Sequence, residues 1–284
     1  MQITDSYKQV LLDTIASDVI GHGGVEWTVF SFGPLRAAYP NFPIGLTEKN
    51  ISVLRDFTST TTVLKSRGVD LARISAPSSL RIPERSGVIN LPETRIADLS
   101  GWDTGALSAQ TRRKIRKCHA SGLSISHVTA TDATPLHNLY LATIRRHNAK
   151  ERYPRHYFER LCEASNNSED VVVAKALIRE EIAGFIALKL DEKCVYYLHG
   201  AYDDKFSRAR PGFFSMEWAI QYSKKRRKTQ FNFLTSPTDQ PALRQYKESF
   251  GAESRMRAHW NESFTPLGYV ASEFLKFKRR LKRA

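Results

Sequence analysis

No stretch of these 284 residues approaches the ~20 consecutive apolar residues that a helix needs to cross a bilayer. The amino terminus, "MQITDSYKQVLLDTIASDVIGHGG", lacks the basic start and apolar run of a signal peptide, so a cytoplasmic location is expected. Only three cysteines occur, Cys118, Cys162 and Cys194. They are far apart, odd in number and form no Cys-x-x-Cys pair, which argues against a disulfide framework and a structural zinc site. Cys162 falls on an apolar helical face, where small cysteines are often buried. There is no HExxH, no phosphate-binding P-loop and no Ser-His-Asp order, so hydrolase and NTPase readings have little support and no metal is expected. Acidic residues are also scarce, 29 against 43 lysines and arginines.

What is present is an ordinary globular composition, 41% hydrophobic, 25% charged and 11% aromatic. The length allows one large domain or two halves of about 130 residues. The net charge of +14 favours polyanions: RNA, phosphorylated cofactors or an anionic membrane surface. The cations cluster in "RRKIRK" (Arg112–Lys117), "KKRRK" (Lys224–Lys228) and the final "KFKRRLKRA" (Lys276–Ala284).

Periodicity suggests a mixed order of helices and strands. Asp5–Ser17 has helical spacing, and Glu26–Phe32 is rich in the aromatic and β-branched residues of a strand. Leu46–Ser66 reads as one long helix opened by Thr47 and closed by Gly68. "VDLARISAP" is a strand, and Pro77–Trp102 is a long connection around "GVINL". Ser108 can cap a helix that Gly122 ends, with "LSISHV" as the strand after it. In the second half, Leu136, Leu139, Tyr140, Thr143, Ile144 and His147 mark an amphipathic helix, and Tyr157, Phe158, Leu161 and Cys162 another. "DVVVAKALI" and "IAGFIALKL" flank a hairpin turn at "REE". "CVYYLHGAY" is a third strand, and a helix starts at Pro211, where proline suits the first position. "TQFNFL", a short helix Pro241–Ser249 and "SRMRAHWN" complete an order α-α-β-β-β-α-β-α-β.

That order, carrying "LSAQTRRKIRKCHASGL", "YLHGAYDDKFSRARPGFFSMEWAI", "QFNFLTS" and "LRQYKESFG", resembles the GNAT N-acyltransferase fold. Within it the chain is most similar to the Fem-like branch, relatives of the peptidoglycan-bridge transferases. The match runs from about Leu107 to Trp260 and is architectural before that. The resemblance implies an α/β fold with a mixed sheet and two tandem GNAT-like halves, the first reduced. The implied division is 1–106 for the reduced half, 107–122 for a basic bridging helix, 123–262 for the catalytic half and 263–284 for a basic tail. It also implies acyl transfer to an amine or hydroxyl. The donor would be acyl-CoA or another acyl thioester, with aminoacyl-tRNA as the alternative. The acceptor would be anionic, cell-envelope or sugar-linked. The helical-hairpin arm of some Fem transferases is not found, which favours the thioester; the net charge favours the tRNA.

Site residues follow from the resemblance, each beside an ordinary role. Strands Cys194–Gly200 and Thr229–Leu234 would splay to admit the donor, with backbone N–H groups ready to stabilise an oxyanion and Asn232 lining the gap. The start of the helix at Pro211–Phe214 could receive a donor phosphate, helped by Arg208, Arg210, Gly212 and Phe213. "RARPGFF" has one glycine where the usual phosphate loop is richer, so a solvated loop is the other reading. Lys247 matches the lysine of the family's aromatic-Lys-x-x-Phe-Gly ending and would stabilise the oxyanion or hold a donor phosphate; otherwise it is an exposed helix lysine. Tyr246 would order the acyl chain or pack, and Phe250 belongs to the core. Asp239 could receive the proton of the incoming ammonium, or cap the helix at Pro241. His199 and Tyr202 end the central strand and could transfer protons, or pack. Glu217 is a further candidate base or a solvated helix position. Arg112 and Arg116 could hold acceptor phosphates. The terminal "EFLKFKRRLKRA" suits an anionic membrane surface, an RNA backbone or a frayed end, and a peripheral contact at the inner membrane face is one expectation. The alternative to an enzyme is a noncatalytic GNAT-like scaffold that binds RNA or membrane.

Overall fold

The computed structural model describes residues 5–79 and 87–281, side chains of 278–281 excepted. The expected connection Pro77–Trp102 and the basic tail therefore lie in part outside the described residues. The chain forms two compact units, one of residues up to Thr14 with Thr94–Ser254, the other of Ile15–Glu93 with the residues from Arg255 on.

The larger unit begins with α1 (Ser6–Thr14) and resumes with α3 (Ala109–Ala120), numbered after a helix of the other unit, and β6 (Ser124–His127). Then come α4 (Ala133–Arg146), α5 (Arg155–Asn167), β7 (Val171–Ile178), β8 (Glu181–Leu190), β9 (Cys194–Tyr202), α6 (Pro211–Lys225), β10 (Gln230–Thr235) and α7 (Pro241–Glu248). This is the order expected from the periodicity. Strands run β10-β9-β8-β7-β6, antiparallel except for the parallel pair β9 and β10. Ser108 Oγ accepts from Thr111 N at 3.2 Å and opens α3, and Gly122 at φ +72° lies just past its end. The β7–β8 hairpin turns through Arg179 and Glu180, both with positive φ, the handedness that matches strand twist. Met216, Ala219 and Ile220 of α6 pack on Ile186, Leu188, Val195, Phe231 and Phe233. Tyr157 and Phe158 of α5 are fully buried, and Phe158 meets Phe185 of β8 edge to face.

The smaller unit contains β1 (Ala16–His22), β2 (Val25–Phe32), β3 (Leu35–Pro40), α2 (Phe57–Ser66) and β4 (Leu71–Pro77). The strand β5 (Ile89–Ile96) follows, and β11 (Glu253–Ser263) and α8 (Pro266–Leu281) close the chain. Its sheet order is β1-β2-β3-β4-β11, with β3 and β4 parallel. Trp27, Val29, Leu46, Leu64, Ile74 and Trp260 form its core. Inside it Arg257 is buried against Glu93 (Nη1 to Oε1 3.3 Å) and donates to Leu46 O (2.7 Å) and Ser75 Oγ (3.1 Å). The two units repeat one plan: a pair of hairpins, then a helical crossover to a parallel strand. In the smaller unit β1-β2-β3-α2-β4 answers to β7-β8-β9-α6-β10, without counterparts of β6, α4 and α5 among the described residues. The fold is mixed α/β, and the first copy is the reduced one.

Four expectations need correction. Leu46–Ser66 is not one helix: Asn50 Oδ1 accepts from Thr47 N at 2.7 Å, a single 3-10 turn follows at Ile51–Leu54, and α2 starts only after Asp56. Short polar side chains that bond the backbone compete with helix in this way. Within the supposed connection lies β5, disguised by Pro92, which removes a ladder donor. Helix α1 stops at Thr14 and the chain turns to strand at Ala16. The basic tail is helical from Pro266.

Candidate active site

The parallel ladder of β9 and β10 covers Cys194–Tyr196 against Gln230–Asn232. Beyond it β9 stays with β8 as far as Tyr202, and β10 runs on to Thr235. The expected splay is therefore present, and it opens after Tyr196 and Asn232. Leu234 sits at φ +59°, a region that costs a leucine on the order of 1 kcal/mol or more. Asn232 holds it there by accepting from Leu234 N at 2.7 Å.

The start of α6 belongs to the same unit and brings Gly212 and Phe213 together with Tyr246 of α7. Tyr246 donates its hydroxyl to Gly212 O at 2.8 Å, and its ring meets Phe213 edge to face at 5.1 Å. Burial holds the Tyr246 hydroxyl well above the usual tyrosine range, so it stays a donor. Lys114 of α3 places Nζ 5.0 Å from the Phe213 ring centroid. A Cβ on Gly212 would lie 3.8 Å from both Tyr202 Cδ1 and Tyr246 Oη, ordinary contact distances. Before this helix stands no glycine-rich loop but a 3-10 stretch, Asp204–Ala209, ending at Arg210 in the left-handed region (φ +59°). Arg208 and Arg210 are exposed.

The other side of β9 is built differently. Ala187 faces His199 and Leu188 faces Tyr197, so Leu198 is an extra residue in the ladder. This bulge lets two residues only two apart point to opposite faces. Tyr197 packs with the α6 core, and its hydroxyl fills the space where a Cβ on Gly200 would be. His199 instead meets Tyr157 of α5, Nε2 to Oη 2.7 Å, and Tyr157 Oη lies 3.2 Å from Tyr7 Oη. The Tyr153 ring stands edge-on to the imidazole at 4.5 Å. Burial pulls the His199 pKa down to about 4, so the ring is neutral at pH 7.

The remaining candidates fall in other settings. Lys247 is buried, 3% exposed, which removes the exposed-lysine alternative. Its Nζ donates to Phe233 O (2.8 Å), Leu234 O (3.3 Å) and Thr235 O (3.4 Å), pinning the end of β10. Asp239 is exposed and does not cap α7, whose N-cap is Gln240 without a side-chain bond. Proline at the first helical position already presets the backbone there. Glu217 is not solvated but buried, accepting from Gln221 Nε2 (2.6 Å) and lying 2.9 Å from His119 Nε2. Arg112 Nη1 donates to Gly105 O (2.8 Å) and Leu107 O (2.6 Å), while Arg116 is exposed. The Tyr202 ring carries the Arg146 guanidinium at 4.4 Å. Burial lifts the thiols of Cys118 and Cys162 to about 11 and about 12, so neither is a ready nucleophile. Tyr157, Tyr197 and Lys114 were not picked out as site residues from the sequence. Their signal was the fold itself, which sets them against His199, Gly200 and Phe213.

Residues 106–265 match the acetyltransferase (GNAT) domain family. The chain belongs to the GNAT family. Its fold is similar to a C-terminal domain assigned to a lysylphosphatidylglycerol synthetase of Agrobacterium fabrum, at TM-score 0.58 and 14% identity over 89% of this chain and 90% of that one. FemX is similar at TM-score 0.60 and 10% identity, over 91% and 96%. A tandem GNAT protein from the clavulanic acid biosynthesis pathway is similar at TM-score 0.53 and 11% identity, over 92% and 88%. No curated protein matches the sequence. The matched GNAT region includes the splayed strands, α6 and α7, and the protein is accordingly an enzyme of the N-acyltransferase class. Among the described residues no helix is long and apolar enough to cross a membrane.

Proposed function

We propose that the protein transfers an acyl group from an acyl thioester, acyl-CoA first among them, to the amine of an anionic acceptor that is lipid-linked or sugar-linked. The observation that supports this most is the ladder of β9 and β10 ending at Tyr196 and Asn232 while both strands continue. A thioester arm laid in that gap can meet backbone N–H groups of β9 that no longer bond β10. Such preorganised donors stabilise the oxyanion formed when an amine attacks the carbonyl. The tetrahedral intermediate then expels the thiolate, which takes up a proton, and the amide remains.

The donor's phosphates would meet the start of α6. The Phe213 and Phe214 N–H groups both turn inward to Arg210 O (3.0 and 3.3 Å), so the anion falls to the Gly212 N–H with Arg208 and Arg210. Phe213 and Tyr246 would flank the acyl chain. Tyr202, Arg112 and Arg116 are assigned to the acceptor, Arg112 through whatever donors its two carbonyl contacts leave. Asp239 is assigned the proton of the attacking ammonium. His199 is the second candidate for that proton, although burial disfavours its charged form. Lys247 enters as a positioning residue, because direct contact with an oxyanion requires Nζ to leave the carbonyls of β10.

A second reading, aminoacyl transfer from charged tRNA, draws on the likeness to FemX and to the lysylphosphatidylglycerol synthetase domain and on the charge of +14. The two separate in one experiment. Purified protein is mixed with several acyl-CoAs or with a charged tRNA pool, and both melting and donor consumption are followed. A bound donor at 100 times its dissociation constant adds about 2.7 kcal/mol of stability. Stabilisation by an acyl-CoA with thiol release on adding amines supports the first reading, and loss of label from aminoacyl-tRNA alone supports the second. Neither response would overturn both.

A further inference from the structure

The feature that the transferase reading leaves unused is α8, in the smaller unit. One side of this helix is seated. A Cβ on Gly268 would fall 2.1 Å from Asp70 O, so only glycine lets the helix approach so closely. Thr265 Oγ1 donates to Asp70 Oδ1 (2.7 Å), and the buried Ser272 Oγ accepts from Asn261 Nδ2 (3.2 Å). The opposite side is bare. Leu267, Val270, Phe274 and Phe277 recur at i, i+3, i+7 and i+10, which places them on one stripe. They are 40%, 65%, 63% and 59% exposed, and Tyr269 beside them is 62% exposed. Five of the seven large apolar side chains exposed among the described residues are thus on this one helix.

The sequence around the stripe is cationic. Residues 264–284 contain one acid, Glu273, which pairs with Lys276 at 2.6 Å. Beyond Lys276 follow Lys278, Arg279, Arg280, Lys282 and Arg283. We propose that α8 docks on an anionic phospholipid bilayer, with its stripe in the boundary between headgroups and acyl chains, the positive charge of the segment's sequence favouring anionic lipid. Apolar area and anionic attraction act together in such helices. A second copy of the chain fits the face poorly, since it would bring two cation-rich ends of two +14 molecules together. The inference gives the lipid-linked acceptor of the proposed function a surface on which it would be met. Its test reads vesicle binding alone, so its failure would leave the transferase reading standing.

The full chain is floated with vesicles of phosphatidylcholine, or of an equal mixture of phosphatidylcholine and phosphatidylglycerol. Binding to the mixture is expected, with binding to phosphatidylcholine alone weaker by about tenfold or more. F274E/F277E should lose about tenfold or more on the mixture and melt with wild type, since both rings are exposed. V270E, on the same stripe, should weaken binding too. Equal binding to both vesicles, wild-type binding by F274E/F277E, or no binding at all would overturn the proposal. So would a wild-type dimer in light scattering that F274E/F277E turns into a monomer.

Discussion

Replacing Lys247 by methionine keeps the unbranched stem and removes only the ammonium. In the folded chain that ammonium bonds three successive carbonyls at the end of β10, at 2.8, 3.3 and 3.4 Å. A hydrogen bond to a charged group contributes about 1.5–3 kcal/mol, and a buried acceptor left alone costs about 1–3. Only the contact to Phe233 O has near-ideal length, and sparing the ammonium its desolvation returns part of the loss. A net destabilisation of about 3 kcal/mol follows. For a unit of this size each kcal/mol lowers the melting temperature by about 2–4 °C, so the drop should be roughly 6–12 °C. Thermal melting followed by circular dichroism reads it, beside donor turnover measured well below the melting range. If Lys247 positions β10, stability and turnover fall together. If the melting temperature stays within about 1 °C of wild type while turnover collapses, the lysine touches the reacting atoms and the positioning argument is wrong.

Two further outcomes come from buried charge. His199 titrates near 4 in the fold against about 6.5 in the unfolded chain. The unfolded state therefore binds more protons between those values, so the stability tied to this ring is intact above about pH 6.5 and is lost as the pH falls toward 4. Melting temperatures of wild type should drop faster over that window than those of His199→Gln, and parallel curves would reject burial as the cause. Arg257→Met removes from the smaller unit's core a guanidinium that pairs with Glu93 and donates to Leu46 O and Ser75 Oγ, and should cost about 3–5 kcal/mol in urea unfolding. A loss under about 1 kcal/mol would match an exposed pair instead.

The second half of the fold was legible because its segments are long, strongly periodic and punctuated at their ends. Ser108, Gly122 and Pro211 lie at the helix ends where their backbone preferences put them. The first half was less legible for local reasons. Asn50 and Asp56 break a run that hydrophobic spacing alone makes continuous, and Pro92 hides a strand. At the site, the splayed strands and the start of α6 were readable from order and resemblance. The surroundings of single side chains were not. Whether Lys247 or Glu217 meets water depends on carbonyls, a histidine and a glutamine supplied by packing. No spacing rule carries that information, since a lysine on a short helix is usually solvated.

A β-strand counts by twos, and Leu198 makes β9 lose count once. Residues before it keep step with the layer under α6; from His199 onward the step is reversed. One strand therefore answers to two different layers, and its halves can change independently across that single residue. Straightening β9 with Leu198 kept in the alternation would drive the imidazole into the apolar layer beneath α6 and turn Gly200 away from the Tyr197 hydroxyl that its missing side chain now accommodates, whereas deleting Leu198 would leave Tyr197 and His199 opposite Leu188 and Ala187 and facing as they do now.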